Sequence, residues 1–582
     1  LSSHSGFDEE STPHQSSAPI RHCISSQWFV DGKDTMEAMY IEIMRAKEEI
    51  YIADWFLSPS IFLIRELDNK FTLDDDYRLD NVLKHKAENG VKVYILPWNE
   101  TKVAMDLGTA SCAEYLESLH ENIRIIRHPI ISPIKWSHHQ KIVCVDQNIA
   151  FVGGIDLCFG RWDEQTHDIT DIGDVHKWPG KDYYNPLVCE FERVHEPWDD
   201  LVNRQKHPRM PWHDVSIRVD GAIARDIARN FIQRWNHHKE DLSSPANYLL
   251  PKSRKPYSCG SHTIQLLRSL GDWSAGLGTI PECSIYNGYI HAIQSARKYI
   301  YIENQFFVSS LSNEIVKNQI AQCIVDKIIE AIENKRAFKV IILIPQHPEG
   351  PHYEESAASA MIIQQQYRSI SRGGNSILEQ LKSRYPDINT EDYIGFFTVR
   401  NFGKLDDKYI HEQIYVHSKT LIVDDRIAII GSANINDRSM LGVRDSEIGV
   451  KILGGEMIHT KMNNENWKAV KLVHELRESL WREHLGYLNN SEISLSDPIN
   501  AIDFYWRPIA KKNTEIKYKL FPLIEKEQED SSVSLIKQET EYVDITPETE
   551  EDMNKIQGHL LEFDLEYCGH VDLDIEGLDT IA

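Results

Sequence analysis

The sequence lacks several features that would place the chain in a membrane, outside the cell or on nucleic acid. Its apolar runs fall short of the ~18 residues that span a bilayer, and no charged-then-apolar signal segment is present. The nine cysteines are odd in number and scattered, so we expect free thiols in a reducing, cytoplasmic compartment. No block of Lys and Arg is interleaved with aromatic residues, which disfavours a nucleic-acid partner.

Positive charge is scarce as well. The 582 residues carry a formal net charge of −26, and residues 525–582 alone hold 18 acidic and 3 basic side chains. The acidic stretches at 525–530 and 548–552 are typical of a solvated linker. Beyond them, alternating apolar and acidic residues at 560–565 predict a small returning strand.

The sequence does contain a motif, His-X-Lys-X-X-X-X-Asp, that occurs twice. The two copies are His139, Lys141 and Asp146, then His417, Lys419 and Asp424. Each is followed by an apolar run, a turn and a second apolar run, which predicts a pair of strands. His and Lys lie two residues apart, so on a strand they face the same side. The duplication indicates one active site built from two halves.

The duplication extends beyond the motif. At an offset of 250, helical patterns near Met36 and Tyr286 match, and strand patterns follow at 50–55 and 300–305. Further strands are predicted at 91–96 and 339–344. Helix alternating with strand predicts the α/β fold class, as two pseudo-symmetric α/β layered domains with one active site at their interface.

Length and composition give the expected boundaries. We expect a disordered leader in residues 1–27, a first catalytic half in 28–250, a second catalytic half in 260–490, and a C-terminal extension with the acidic linker in 491–582. The chain begins with Leu1 and not Met, so we expect a fragment or a processed product.

Two His and two Lys side chains together suit the chemistry of a phosphate diester. The lysines would neutralise the non-bridging oxygens, and no metal is needed for that purpose. One histidine would attack phosphorus and form a phosphohistidine, while the other would protonate the departing oxygen and then activate water. The motif alone does not say which histidine has which role.

Each histidine also needs a carboxylate that fixes its tautomer. Asp171 follows His139 by 32 residues and Glu447 follows His417 by 30, so these similar separations make Asp171 and Glu447 the candidates. The alternative is that they are ordinary loop acids. Asp146 and Asp424 precede turns, which favours a structural role in anchoring the motif loop.

Longer strings resemble the HKD superfamily, and within it the eukaryotic phosphatidylcholine-hydrolysing phospholipase D enzymes. The strings that carry the resemblance are Ile52-Ala53-Asp54-Trp55, Phe151-Val152-Gly153-Gly154-Ile155-Asp156, Pro208-Arg209-Met210-Pro211-Trp212-His213-Asp214, Tyr301-Ile302-Glu303-Asn304-Gln305 and Ile430-Gly431-Ser432-Ala433-Asn434-Ile435-Asn436. The resemblance runs from about residue 28 to 490.

The resemblance implies hydrolysis of phosphatidylcholine to phosphatidic acid and choline, with transfer to primary alcohols and no required cofactor. It implies that His139 is the nucleophile and His417 the general acid. It also implies that Ser432 and Asn434 join Lys141 and Lys419 in binding the substrate phosphate. The first half has Gly154 and Asp156 at the corresponding positions, so this subsite is asymmetric.

The resemblance further implies a peripheral membrane protein that works on a phospholipid surface, with small GTPase or kinase regulators. Phosphatidylinositol 4,5-bisphosphate is a candidate activator, and the residues that would bind it are Lys327, Lys335, Arg336 and Lys339. Acidic residues interrupt this segment, so a plain amphipathic helix is the alternative. Rival functions are an HKD-type phosphodiesterase or nuclease acting on nucleic acid, a phosphatidyltransferase, and a lipid-binding scaffold without activity.

Overall fold

The computed structural model describes most of the chain. The described residues are 12–65, 73–100, 108–128, 136–174, 176–186, 198–241, 246–253, 255–311, 315–350, 356–526, 536–539 and 542–566. Within them, no helix is both long and apolar enough to cross a membrane.

The first half is a seven-stranded sheet flanked by helices. Its strands follow the spatial order β2-β9-β7-β6-β3-β4-β5. The elements up to this point of the chain are β1 (Arg21–Ile24), β2 (Ser26–Val30), α1 (Asp31–Arg45), β3 (Glu49–Asp54), α2 (Leu79–Glu88), β4 (Lys92–Pro97), α3 (Thr109–Leu119), β5 (Ile123–Ile125), β6 (Ile142–Val145), β7 (Ile149–Gly153), β8 (Trp212–His213), β9 (Val215–Asp220) and α4 (Ala222–Asp241).

The second half is built around a larger sheet whose main path is β1-β10-β19-β18-β17-β12-β13-β14-β15-β24. Its elements are β10 (His262–Leu270), α5 (Asp272–Ala275), β11 (Glu282–Cys283), α6 (Ser284–Ser295), β12 (Tyr299–Glu303), α7 (Ile320–Glu333), β13 (Lys339–Leu343), α8 (Ala357–Ile370), α9 (Ile377–Arg384), β14 (Ile394–Leu405), β15 (Lys408–Gln413), β16 (Tyr415–Val416), β17 (Thr420–Val423), β18 (Ile427–Gly431), α10 (Asp437–Met440), β19 (Glu447–Gly454), β20 (Met457–Met462), β21 (Glu465–Val470) and α11 (Lys471–His484).

The remaining elements belong to the C-terminal extension. They are α12 (Pro498–Ala501), a π-helical turn (Ile502–Trp506), α13 (Arg507–Leu520), β22 (Leu523–Lys526), β23 (Ile536–Glu539), β24 (Tyr542–Asp544), α14 (Pro547–Met553) and β25 (Leu560–Glu562).

The two sheets share one strand order, β9-β7-β6-β3-β4-β5 in the first and β19-β18-β17-β12-β13-β14 in the second. The strand directions match too, since β3, β4 and β5 are parallel, as are β12, β13 and β14, and the motif strands run antiparallel to them. The α/β fold class predicted from the repeat is therefore confirmed.

Alternate residues of the central strands enter different cores. In β3, Tyr51 and Ala53 belong to a core shared by both halves, whereas Ile50 and Ile52 face the helices of the first half. In β12, Tyr301 belongs to the shared core, whereas Ile302 belongs to a core of the second half. Burial on both faces explains why these strands are apolar throughout instead of alternating. The shared core holds the two sheets against each other beside the motif strands.

Both chain ends depart from the sequence-based expectations. The predicted leader includes β1, which pairs antiparallel with β10, while β2 pairs with β9. Residues 1–11 lie outside the described residues. The acidic stretch at 548–552 lies within α14, where Pro547 occupies the first turn and Thr546 caps the helix. The predicted returning strand is present as β25, which pairs with β14.

Candidate active site

The backbone at each motif histidine is held by chain from the opposite half. The N–H of His139 donates to the carbonyl of Ser446 at 3.0 Å, and the N–H of His417 donates to the carbonyl of His213 at 2.8 Å. The short strand β16, just before His417, pairs in parallel with β8. Both histidines therefore depend on the two halves being together.

The motif aspartates anchor the loops that precede β3 and β12. Asp146 accepts the backbone N–H groups of residues 47–49 at 2.8–3.0 Å, and Asp424 accepts those of residues 297–299 at 2.7–2.8 Å. Both aspartates have left-handed backbone, with φ of 53° and 56°. Three peptide donors on one carboxylate fix the turn after each motif strand, which gives Asp146 and Asp424 a structural role.

Each motif imidazole has a carboxylate on its Nδ1, but the pairs differ from those expected. His139 Nδ1 donates to both oxygens of Glu447 at 3.0 Å. His417 Nδ1 donates to Asp214 Oδ2 at 2.8 Å. Glu447 was expected to serve the histidine of its own half, yet it pairs with the histidine of the first half. The hydroxyls of Ser432 and Ser439 donate to Glu447 at 2.6 and 2.7 Å.

Asp171 lies elsewhere and has a structural environment. Its carboxylate accepts the backbone N–H of Trp178 at 2.9 Å and lies 3.6 Å from the guanidinium of Arg204. The expectation failed because a long insertion separates β7 from β9, whereas β18 and β19 are separated by a short loop. Equal distance along the chain therefore does not give an equivalent position in the sheet.

Strand register identifies the equivalent carboxylates. Gly153 of β7 pairs with Ser216, and Gly431 of β18 pairs with Gly449. Asp214 and Glu447 both lie two residues before these partners. A sequence signal was available, because residues 214–219 and 447–452 share an acid followed by the same pattern of apolar, small, apolar, basic and apolar residues.

A glycine makes room for the carboxylate beside His417. A Cβ at Gly154 would lie 2.1 Å from Asp214 Oδ1. The equivalent residue in the second half is Ser432, whose hydroxyl instead donates to the carboxylate of Glu447. The expected asymmetry at this position is therefore a difference in contacts to the carboxylates: Gly154 leaves space for Asp214, whereas Ser432 donates a hydrogen bond to Glu447.

The two motif lysines are buried and have unlike partners. Lys141 Nζ donates to Asp156 at 2.9 Å, and Lys419 Nζ donates to Gln305 at 3.0 Å. Burial raises the pKa of Asp156, but Lys141 and a hydrogen bond from Asp54 outweigh it and hold that pKa below its usual range. Burial lowers the pKa of Lys419 to about 7, although the nearby Asp214 carboxylate opposes the shift.

The surroundings of His417 are electropositive. Burial lowers the pKa of this imidazole well below its usual value, and the charges of Lys419, Lys141 and Arg161 lower it further. Arg161 stacks on Trp212, 3.8 Å from the ring centre, and Trp212 contacts the ring of His417. Burial also raises the pKa of Asp214 to about 7. Converging cations in a buried site favour an anionic ligand.

Ser432 and Asn434 are the other residues predicted to bind the phosphate. They follow β18, which pairs with β17, the strand that begins directly after Lys419. Asn434 is 6% exposed, and its side-chain carbonyl oxygen has no hydrogen-bond partner in the part of the chain that the structure describes. Aromatic rings line the other side, since Trp55 lies 6.1 Å from the His139 ring and stacks on Trp98. The surroundings of the motif histidines therefore combine buried cations with aromatic rings.

The candidate phosphoinositide residues are mostly engaged in ion pairs. Lys327 and Arg336 both contact Glu330, at 2.6 and 2.8 Å, and Lys339 contacts Asp503 at 2.8 Å. Lys335 is exposed. Acidic side chains thus occupy the positions that an anionic headgroup would need.

Comparison with known proteins fits this geometry. The profile of the family described as phospholipase D matches residues 42–501. Phospholipase D A of Dictyostelium discoideum is 46% identical over 483 residues, covering 83% of this chain and 37% of that protein. Phospholipase D2 of Bos taurus is 37% identical over 604 residues, covering 95% of this chain and 63% of that protein. The chain thus spans less than two thirds of the length of these relatives.

Among solved structures, phosphatidylserine synthase of Haemophilus influenzae Rd KW20 aligns over 75% of this chain and 84% of that chain, with 15% sequence identity and a TM-score of 0.42. The family profile, in contrast, covers most of this chain, including both motifs and both carboxylates that hold the histidines. The chain belongs to the phospholipase D family.

Proposed function

We propose that the chain is a phospholipase D that hydrolyses phosphatidylcholine to phosphatidic acid and choline through a phosphatidyl-histidine. The observation that carries the proposal is the pair of imidazoles, each oriented through Nδ1 by a carboxylate, beside two buried lysines. With Nδ1–H donated to the carboxylate, Nε2 of each ring is left for chemistry.

In the first step, Nε2 of His139 attacks phosphorus and the bond to the choline oxygen breaks. Glu447 stabilises the positive charge that develops on the ring, and Lys141 and Lys419 hold the charge of the phosphate oxygens. The His417 imidazolium gives its Nε2 proton to the choline oxygen. In the second step, neutral His417 takes a proton from water, which displaces His139 and releases phosphatidic acid. A primary alcohol in place of water gives a phosphatidyl alcohol.

The electrostatics of the two pairs support this division of roles. Two serine hydroxyls donate to Glu447 and hold the carboxylate that orients the nucleophilic ring of His139. In the free protein, burial and the nearby cations lower the pKa of His417, and the Asp214 carboxylate 2.8 Å from its Nδ1 opposes that effect. A bound phosphate diester adds a negative charge that favours the His417 imidazolium.

No metal cofactor is required by this scheme, because Lys141 and Lys419 supply the charge neutralisation. The substrate surface is a phospholipid membrane, and the protein would bind it peripherally. A phosphoinositide activator would have to displace Glu330 and Asp503 from the cations of α7 and β13. The carboxylates of these pairs are 44–46% exposed but the cations only 11–32%, so a headgroup would replace partly buried ion pairs.

Product analysis on phosphatidylcholine vesicles, with and without a primary alcohol, tests the proposal. We expect choline and phosphatidic acid in the first case and phosphatidyl alcohol in the second. The His139→Ala and His417→Ala variants should fold but lose turnover by at least about 10²–10⁴-fold, the contribution of one acid–base group. Phosphoryl label on His417 would reverse the roles, and activity only on nucleic-acid diesters would refute the substrate class.

A further inference from the structure

A second cluster of ionisable side chains lies behind the active site, at the seam between the halves. Asp31, His167, His213 and Glu483 are each at most 1% exposed. One nitrogen or oxygen from each side chain lies within 4.8 Å of those of the other three. Three of the four residues come from the first half, and Glu483 comes from the end of α11. None of them takes part in the chemistry proposed above.

The nitrogens that face the centre of the cluster are Nε2 of His167 and Nδ1 of His213. His167 Nε2 lies 3.0 Å from Glu483 Oε1 and 3.5 Å from Asp31 Oδ2. His213 Nδ1 lies 2.8 Å from Glu483 Oε1 and 3.0 Å from Asp31 Oδ1. Ligands of a tetrahedral zinc ion at 2.0–2.2 Å are ~3.3 Å apart, so the observed separations are near those of the edges of such a site.

Two buried polar atoms at the centre of this cluster lack hydrogen bonds among the described residues. His213 Nδ1 lies 2.8 and 3.0 Å from two carboxylate oxygens, yet it makes no hydrogen bond of good geometry among the described residues. Asp31 Oδ2 likewise lacks a partner within the described structure. Two fully buried polar atoms thus point into the centre of the cluster without a bond, and such atoms are costly unless something binds them.

The opposite nitrogen of each imidazole is already engaged by a carboxylate. His213 Nε2 bonds to Glu303 at 3.0 Å, and His167 Nδ1 bonds to Asp163 at 3.3 Å. In metal sites, an outer carboxylate of this kind fixes the ligating histidine. Here the inner nitrogen of His167 bonds to Glu483 Oε1 at 3.0 Å, and the ion would take the place of the shared proton. Glu483 Oε2 is held by Gln165 at 2.8 Å, which leaves Oε1 facing the centre.

We propose that Asp31, His167, His213 and Glu483 form a structural site for a zinc-class divalent ion. Two neutral imidazoles and two carboxylates are a donor set suited to such a metal, and they would neutralise its double charge. Four protein ligands close the site, as in structural zinc centres. A cleft of about 570 Å³ borders the cluster at Glu483, and Gln165 and His559 also line it.

The ion would fix the position of the acid–base pair. His213 accepts the backbone N–H of His417 and precedes Asp214 in the chain, and Asp31 Oδ1 accepts the backbone N–H of Asp214 at 3.1 Å. The metal would therefore tie α11 of the second half to the segment that carries the His417 partner. Its role is positional, and the phosphodiester chemistry does not pass through it.

The test uses the full chain, purified without a histidine tag. Elemental analysis should find about one zinc-class ion per chain. Removing the ion with a chelator should lower the Tm, and Zn²⁺ should restore it. Co²⁺ in its place should give the visible absorption bands of tetrahedral cobalt. Glu483→Gln, which keeps the shape of the side chain, and His167→Gln should lose the ion.

His474→Gln is the matched control, because His474 is a buried histidine on the same helix, α11, but bonds to Asp425 at 2.8 Å and is not part of the cluster. This variant should keep the metal. Metal content and cobalt absorption are measured on the wild-type protein too, so poor folding of a variant cannot hide the answer. Wild-type protein without metal, whose Tm does not respond to Zn²⁺, would overturn the proposal in favour of two imidazolium ions. Equal metal in Glu483→Gln would overturn it also.

Discussion

The carboxylate beside His417 gives the sharpest test of the assigned roles. In Asp214→Asn, the side-chain oxygen would keep the hydrogen bond that Oδ1 now accepts from the N–H of Val215 at 2.9 Å. The amide NH₂ would then face His417 Nδ1, where the carboxylate oxygen now lies at 2.8 Å. An NH₂ donor forces the proton of the imidazole onto Nε2, so the ring can no longer accept a proton from water.

We expect kcat on phosphatidylcholine to fall about 10²–10⁴-fold, which is about 3–5 kcal/mol of transition-state stabilisation. A diester with a nitrophenolate leaving group needs no acid in the first step. The variant should therefore release about one nitrophenolate per site in a burst and then stop, with the phosphoryl group retained on His139. Rapid-quench kinetics and mass spectrometry measure both events.

Asp171→Asn is the matched control, since this substitution removes the same charge at a residue that contacts Trp178 and Arg204 and neither imidazole pair. It should keep its turnover within a few-fold of wild type. Near-normal turnover in Asp214→Asn would refute the pairing with His417. Equal losses on both substrates, with no burst, would refute the division between nucleophile and acid.

Three further outcomes follow from the site. Lys141→Arg should lose most activity, because the planar guanidinium cannot occupy the space of an ammonium 2.9 Å from Asp156, and steady-state assays of folded protein would check this. Burial lowers the pKa of Lys419 to about 7, so this cation is lost as the pH rises above 7. The affinity of the free protein for vanadate, used as a phosphate mimic, should therefore fall up to tenfold per pH unit above 7. Constant affinity from pH 6 to 9 would contradict this. Gly154→Ala should lower kcat by displacing the neighbouring carboxylate, whereas Gly173→Ala, where a Cβ meets open space, should not.

The repeat made the strand pairs, the motif residues and the two-half arrangement predictable. His and Lys alternate with apolar residues on a strand, so their common face follows from the period of a strand alone. The loop-anchoring role of Asp146 and Asp424 could also be inferred, because short acids before a turn accept nearby peptide N–H groups.

The partners of the histidines could not be found by counting residues. Asp171 was selected by its separation from His139, but the insertion between β7 and β9 moved the equivalent acid to Asp214. The crossing of Glu447 to His139 depends on how the two sheets pack, and tertiary packing of this kind leaves no periodic signal in one sequence. The strand β1 was missed for a related reason, since four residues paired to a distant strand carry little pattern of their own.

Each half supplies backbone and carboxylate partners to the motif histidine of the other, so neither half contains a complete site by itself. A cut between α4 and β10 would leave each fragment with a complete motif sequence, yet neither histidine would have its backbone acceptor or its carboxylate. The N-terminal fragment would also carry β1, a strand that belongs to the sheet of the other fragment. Complementation of the two fragments would therefore require strand exchange, and activity would depend on the product of their concentrations.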